Sequence, residues 1–224
     1  MMVVAISLGG SVVNPGKPSL ENVRRIAKIF EESGEKLAIV VGGGAYAREY
    51  AEVVRKLTGN EFYADAIATM ETKQNAMLLI SALKNAYPKI PSTFESAAAA
   101  IKSYQHVIMG GTIPGITTDT DAVLLAEATF AERLVNISNV PGIFDKDPSK
   151  YKDAKKYSKM SHEQLVSLAI ESDRRKAGEH FVFDMIACKL AARSELELHF
   201  VSWKNEKDVL NAIKGKGHSG TVVE

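Results

Sequence analysis

The sequence predicts an α/β protein: a three-layer αβα sandwich around a central, mostly parallel sheet. Two observations carry this expectation. Short apolar, β-branched runs alternate with helical patterns almost from end to end, an order that places parallel strands under helices on both faces. The glycine clusters fall where strand patterns give way to helical ones, at the sheet edge where ligands bind in such folds.

The elements follow in order. Val3 to Leu8 reads as a first strand, closed by the turn Gly9-Gly10-Ser11. Leu20, Val23, Ile26, Ala27 and Phe30 recur at helix spacing behind a Ser19 N-cap, and Gly34 ends that helix. Lys36 to Val41 is a second strand running into Gly42-Gly43-Gly44, with Ala45 to Leu57 helical beyond it. Tyr63 to Ala86 is a long helical pattern and Phe94 to Ser103 a shorter one. His106 to Met109 is a strand ending at Gly110-Gly111, Asp119 to Phe130 is helical, and Leu134 to Ser138 is a strand. Asn139 to Lys159 reads as a long polar loop whose lysines form a solvated face. Ser161-x-x-Gln164 has capping-box spacing. Phe183 to Ser194 is helical, Leu196 to Ser202 a strand, Glu206 to Lys214 helical, and Thr221 to Val223 an edge strand.

Composition narrows the function classes. A formal net charge of +1 gives no general attraction for nucleic acid or an acidic membrane, so bound anions must be captured locally. The single cysteine, Cys188, cannot form an internal disulfide, which fits a reducing, cytoplasmic setting. The first residues lack a basic region and a cleavage site, and no apolar run reaches the ~18 residues of a membrane span. The histidines at 106, 162, 180, 199 and 218 show no metal-ligand spacing. Met70 and Met77 read as core. No repeat, linker or exposed helical stripe is apparent, so residues 1–224 are expected to form one domain.

Three strand-to-helix junctions are rich in glycine: Gly9-Gly10, Gly42-Gly43-Gly44 and Gly110-Gly111. Each can bring backbone N–H groups and a helix dipole to a phosphate. Three on one sheet edge suggest a polyphosphate and a second phosphorylated ligand. No G-x-x-x-x-G-K-[ST] stretch is present, which excludes a P-loop kinase. Gly42 to Ala47 matches G-x-G-x-x-A with Asp65 beyond it, the dinucleotide fingerprint, although it follows the second strand rather than the first. Gly110 to Asp119 (GGTIPGITTD) sets two threonines and an aspartate at a helix start after a Gly/Pro loop. That pattern suits both a capped helix and a loop cradling a sugar, base and phosphate.

At these places the chain resembles the amino acid kinase superfamily, and within it the UMP kinases of archaeal type. The residues that carry the resemblance are Gly9-Gly10-Ser11, Val40 to Arg48 (VVGGGAYAR), Asp65, the helix at Asn75 to Leu78, Met109 to Asp119, Ser138 to Pro148 (SNVPGIFDKDP), Asp184 to Lys189, and Gly220-Thr221. They occur in order along essentially the whole chain.

The resemblance implies a homohexameric, Mg²⁺-dependent enzyme that transfers phosphoryl from ATP to UMP. The N-terminal part would bind UMP, and the part from about residue 130 would bind ATP. Gly9, Gly10, Gly44 and Arg48 would hold the ATP phosphates, and Ser138, Asn139, Phe144 and Asp147 would line the adenosine pocket. Gly43 and Asp65 would contact UMP, with Ile113, Pro114, Gly115, Ile116, Thr117, Thr118 and Asp119 around its uracil, ribose and phosphate. Lys189 and Arg48 would act on the transferring group, with Asp184 orienting it. Many superfamily members carry a lysine in the first strand, where this chain has Ala5-Ile6-Ser7-Leu8. Pro141 and Phe144 also replace a common aspartate and tyrosine. A non-catalytic nucleotide sensor, a sibling small-molecule kinase and a dehydrogenase remain as alternatives.

Overall fold

The computed structural model describes residues 2–148, 150–173 and 183–224. Among them the chain runs β1 (Val3–Leu8), α1 (Gly10–Val13), α2 (Leu20–Ser33), β2 (Lys36–Val41), α3 (Gly44–Thr58), α4 (Glu61–Ala82), α5 (Phe94–Ala100), β3 (His106–Met109) and α6 (Thr118–Thr129). It continues through β4 (Arg133–Ser138), β5 (Lys159–Met160), α7 (His162–Asp173), α8 (Met185–Arg193), β6 (Glu197–Ser202), α9 (Glu206–Ile213) and β7 (Thr221–Val223). His180 lies outside the described residues.

Local chemistry sets the boundaries. Ser19 Oγ accepts the Asn22 N–H at the start of α2, and Gly34 ends that helix with φ 71°. Asn60 caps α4 by accepting from Phe62 N. Ser161 and Gln164 form the expected capping box, Gln164 Oε1 accepting from Ser161 N at 2.9 Å and Ser161 Oγ accepting from Gln164 N at 3.3 Å. The fourth helix stops at Ala82, short of the expected Ala86, because Asn85 takes a positive φ and Ala86 bridges to His106 beside β3.

One seven-stranded sheet has the order β3-β2-β1-β4-β6-β7-β5. The first five strands are parallel, and β7 runs antiparallel to β6. Thr221 to Val223 is therefore an inner strand. The short β5 pairs outside it and forms the edge.

Alternate strand residues enter two separate cores, as the pleat requires. Ala5, Ala38, Val40, Leu134 and Leu198 join α5, α6, α7 and α8 on one face. Val4, Ile6, Leu37, Ile39 and Val135 join α1, α2, α4 and α9 on the other. These are the three layers that the sequence predicts. Helix α3 packs chiefly on α4, which leaves both with outward apolar side chains. Met70 and Met77 are among them, exposed rather than core. Tyr46, Tyr50, Val53 and Leu57 form the helical stripe that the sequence reading did not find.

Candidate active site

The C-terminal ends of β1 and β2 meet through backbone alone. Gly9 donates its N–H to Ile137 O on β4, and Gly42 donates to Leu8 O on β1, each at 2.9 Å. A Cβ on Gly10 would stand 2.1 Å from Gly44 N and 2.4 Å from the Gly42 carbonyl. Only glycine lets α1 close on the start of α3 in this way. Asn75 on α4 fixes the second turn, donating from Nδ2 to the Gly42 and Gly43 carbonyls at 2.9 and 3.0 Å. Gly10 and Gly44 are buried in this contact, whereas Gly9 and Gly43 keep solvent access. The result is one ledge at the positive end of α3, where an anion is favoured.

The third junction is pinned from three helices. Thr72 Oγ1 on α4 accepts the Gly111 N–H at 2.7 Å, and Asp121 on α6 accepts from Thr112 N and Thr112 Oγ1 at 3.0 and 2.6 Å. Asp65 Oδ2 on α4 accepts the Gly115 N–H at 3.0 Å, at a residue whose φ is 86°. Asp184, the N-cap of α8, accepts from Thr117 Oγ1 and from Thr120 Oγ1. The same carboxylate also caps its own helix at Ile186 N and Ala187 N. A loop rich in Gly, Pro and Thr is thereby held open in one shape, with Ile113 and Gly115 facing solvent.

Between the ledge and this loop lies Asp119. Ser7 on β1 donates from Oγ to Asp119 Oδ1 at 2.6 Å, and Asn136 on β4 donates from Nδ2 to the same oxygen at 3.1 Å. Burial pushes the Asp119 carboxyl up to about 7. The Ser7 bond opposes that rise, the Asp184 charge adds to it, and the Asn136 bond opposes it. Burial raises Asp121 as well, against its bonds from Thr112. Arg48 and Lys189 are exposed, and neither side chain makes a hydrogen bond or ion pair with another described residue. Lys73, also exposed, stands at the Gly110 turn and acts on Asp121.

On the far side of β1, Asn139 follows β4. Its Nδ2 donates to Ser11 Oγ at 3.0 Å, and its Oδ1 accepts from Trp203 Nε1 at 2.7 Å. Ser138 Oγ accepts from Val140 N at 3.1 Å. The loop beyond folds back on itself, Tyr157 N donating to Ile143 O and Asp145 N to Lys155 O. Thr221 Oγ1 ties it to β7 by accepting from Ile143 N at 2.9 Å. Phe144 and Asp147 sit half-buried along this loop, and the Asp147 carbonyl accepts from Lys150 N and Tyr151 N. Lys156 reaches Ser219 O and Lys159 pairs with Glu224, so two lysines of the expected solvated face help to close it.

A family model for the amino acid kinase family matches residues 2–202. The chain belongs to the amino acid kinase family. It is 43% identical to a uridylate kinase of Methanocaldococcus jannaschii and 42% identical to one of Thermococcus sibiricus, over the full length of each chain. The crystal structure of the uridylate kinase from Archaeoglobus fulgidus, 39% identical, superposes over all of both chains with a TM-score of 0.87.

Within this amino acid kinase fold, the structure joins Asp65, Gly115, Thr117, Asp119 and Asp184 through shared loop and helix contacts. Arg48 and Lys189 remain apart from that network. Both ends of the exposed Asn139 amide are taken, by Ser11 and Trp203. Sequence reasoning missed Ser7, Thr72, Asp121, Asn136 and Trp203. Ser7 and Asn136 each stand between two apolar residues of their strands, and that interruption is the signal which could have found them. Thr72 and Trp203 carry no local signal, because their partners come from distant parts of the chain.

Among the described residues, no group of three or more His, Cys, Asp or Glu is placed to hold a metal ion. The acidic side chains of the site are engaged with hydroxyl and amide donors. That donor set fits Mg²⁺ arriving with a polyphosphate, since Mg²⁺ keeps waters and takes few protein ligands in such sites.

Proposed function

We infer that this chain transfers the γ-phosphoryl group of ATP to UMP, giving UDP and ADP for pyrimidine nucleotide synthesis. The observation that carries this is the Gly110 to Asp119 loop, held in one shape by Thr72, Asp65, Asp121 and Asp184 opposite the glycine ledge. Full-length similarity to uridylate kinases supports it.

UMP is assigned to the N-terminal part, with Gly43, Asp65 and Ile113 to Asp119 around it. ATP is assigned to the part from about residue 130, within one domain, with Gly9, Gly10, Gly44 and Arg48 at its phosphates. Ser138, Asn139, Phe144 and Asp147 line its adenosine. A phosphate monoester has its second pKa near ~6, so the acceptor oxygen is ionised at neutral pH and needs no general base. Transfer then depends on position and electrostatics. Arg48 and Lys189 supply positive charge, Asp184 fixes the start of the helix that bears Lys189, and the N–H groups beside the ledge orient the phosphates. Mg²⁺ bound with ATP would offset charge on the β- and γ-phosphates.

The chain acts in the cytoplasm as a homohexamer in this reading. The outward stripe on α3 and α4 supports self-association. Among the described residues no helix is long and apolar enough to cross a membrane. The stretch Ala5-Ile6-Ser7-Leu8, without the lysine that many superfamily members carry in the first strand, favours one second reading: a nucleotide sensor on the same scaffold.

A panel assay of transfer from Mg-ATP to UMP, CMP, dUMP, N-acetylglutamate and isopentenyl phosphate tests the assignment. UDP formation confined to uridine acceptors is expected. Tight UMP binding with no turnover would point to the sensor, and turnover of another acceptor to a sibling kinase.

A further inference from the structure

We propose that Ser7 and Asn136 are positioning residues that act on phosphoryl transfer through Asp119. The proposal rests on the kinase reading above for what is transferred, and on geometry for which residues act. Ser7 and Asn136 are direct register partners on the central strands β1 and β4. Both are buried, 3% and 4% exposed. Their neighbours on the same strands are apolar and enter the two cores. Burying a hydroxyl and an amide there costs free energy unless each finds partners.

The pair is only partly satisfied, because Asn136 Oδ1 has no hydrogen-bond partner among the described residues. Valine or alanine would serve the sheet better. What the two side chains do share is one oxygen, Asp119 Oδ1, at 2.6 and 3.1 Å. Asp119 Oδ2 is left without a protein partner among the described residues, at the seam between the ledge and the loop. Two neutral donors thus fix the carboxylate rotamer and leave its second oxygen to the ligand side.

The charged groups around Asp119 are few. Asp184 faces it from α8, and Asp121 stands further along α6, with Lys73 of α4 acting on Asp121. No cation touches Asp119 among the described residues, and its carboxyl titrates near neutrality. The ionised form gathers the positive charge needed where two anionic phosphates meet, and a neutral carboxyl does not. Ser7 and Asn136 favour the ionised form by donating to it.

The test uses the full chain with Ser7→Ala, Ser7→Thr and Asn136→Ala. Rates with Mg-ATP and UMP are measured from about pH 5.5 to about pH 9.5, and the Asp119 carboxyl is followed by carbon-13 NMR, assigned with Asp119→Asn. Ser7→Ala is expected to lower kcat at pH 7 about fivefold, to leave both KM values within about twofold, and to move the acidic limb up by about one pH unit. The rate returns towards that of the parent chain above about pH 9. Ser7→Thr restores the limb, and Asn136→Ala moves it the same way by less. A loss equal at every pH, or an unshifted Asp119 resonance in Ser7→Ala, overturns the proposal. A shifted resonance in a chain that does not turn over UMP overturns the acceptor assignment and leaves the coupling standing.

Discussion

Asp65 Oδ2 on α4 accepts the Gly115 N–H at 3.0 Å across 50 positions of sequence. Gly115 stands at φ 86°, in the left-handed region, so the loop tip it belongs to depends on this anchor for its shape. One Asp65 oxygen is spent on the loop, and the other remains for a ligand.

Asp65→Ala should therefore weaken UMP twice over, by removing a contact and by loosening the loop. The expected result is a UMP KM raised about tenfold or more, since a charge-assisted hydrogen bond contributes roughly 1.5–3 kcal/mol. ATP KM should change little. Isothermal titration with UMP checks it, and unchanged UMP affinity would exclude Asp65 from the acceptor site.

Gly10→Ala should unfold the ledge rather than trim a contact. Its Cβ would lie 2.1 Å from Gly44 N, where neither backbone can retreat without breaking the α1–α3 junction. A loss of about 3 kcal/mol or more is expected. Gly16→Ala is the control, having nothing within 4 Å of its added Cβ, and should stay within about 0.5 kcal/mol of the parent chain. Chemical denaturation of the two variants measures the difference.

Much of this architecture was legible in sequence because it rests on local rules. The strands at Val3, Lys36, His106 and Leu134 show as apolar runs with β-branched residues, and Ser19, Gly34 and the Ser161–Gln164 box mark helix ends. The glycine turns were legible as turns, and their backbone packing was not, since Gly10 meets Gly44 only in three dimensions. The same limit hid Trp203, which reaches Asn139 from 64 positions away. It hid Thr72, 39 positions from Gly111. Thr221 to Val223 looked like an edge because nothing in its residues announces the two-residue β5 outside it.

Asp119 gives stability a distinct pH dependence. Its folded-state value is raised, from 3.8 to about 7, so its contribution is fully present below about pH 3.8 and is lost as pH rises towards 7. Asp119→Asn removes the cost of a desolvated charge while keeping an acceptor for Ser7. The variant should gain on the parent chain across that window, by roughly 2–4 kcal/mol at the alkaline end. Urea unfolding at about pH 5 and about pH 8 tests this, and an equal difference at both pH values would contradict the account of a raised Asp119 carboxyl.

The α3–α4 face offers the last test. Tyr46, Tyr50, Val53 and Leu57 recur one helical turn apart, and Leu57 is 78% exposed, with Phe62, Tyr63 and Met70 beside them on α4. A cavity of about 230 Å³ between Tyr46, Glu49, Tyr50 and Val53 gives this face relief that a partner side chain could fill. Exposed apolar side chains on two packed helices are what an interaction surface shows, and closed symmetry would bury them against the same face of a second copy. Tyr50→Glu combined with Val53→Glu should shift the sedimentation coefficient to that of a smaller species while leaving the circular dichroism spectrum intact. A parent chain that already sediments as a monomer would remove self-association as the reason for the stripe.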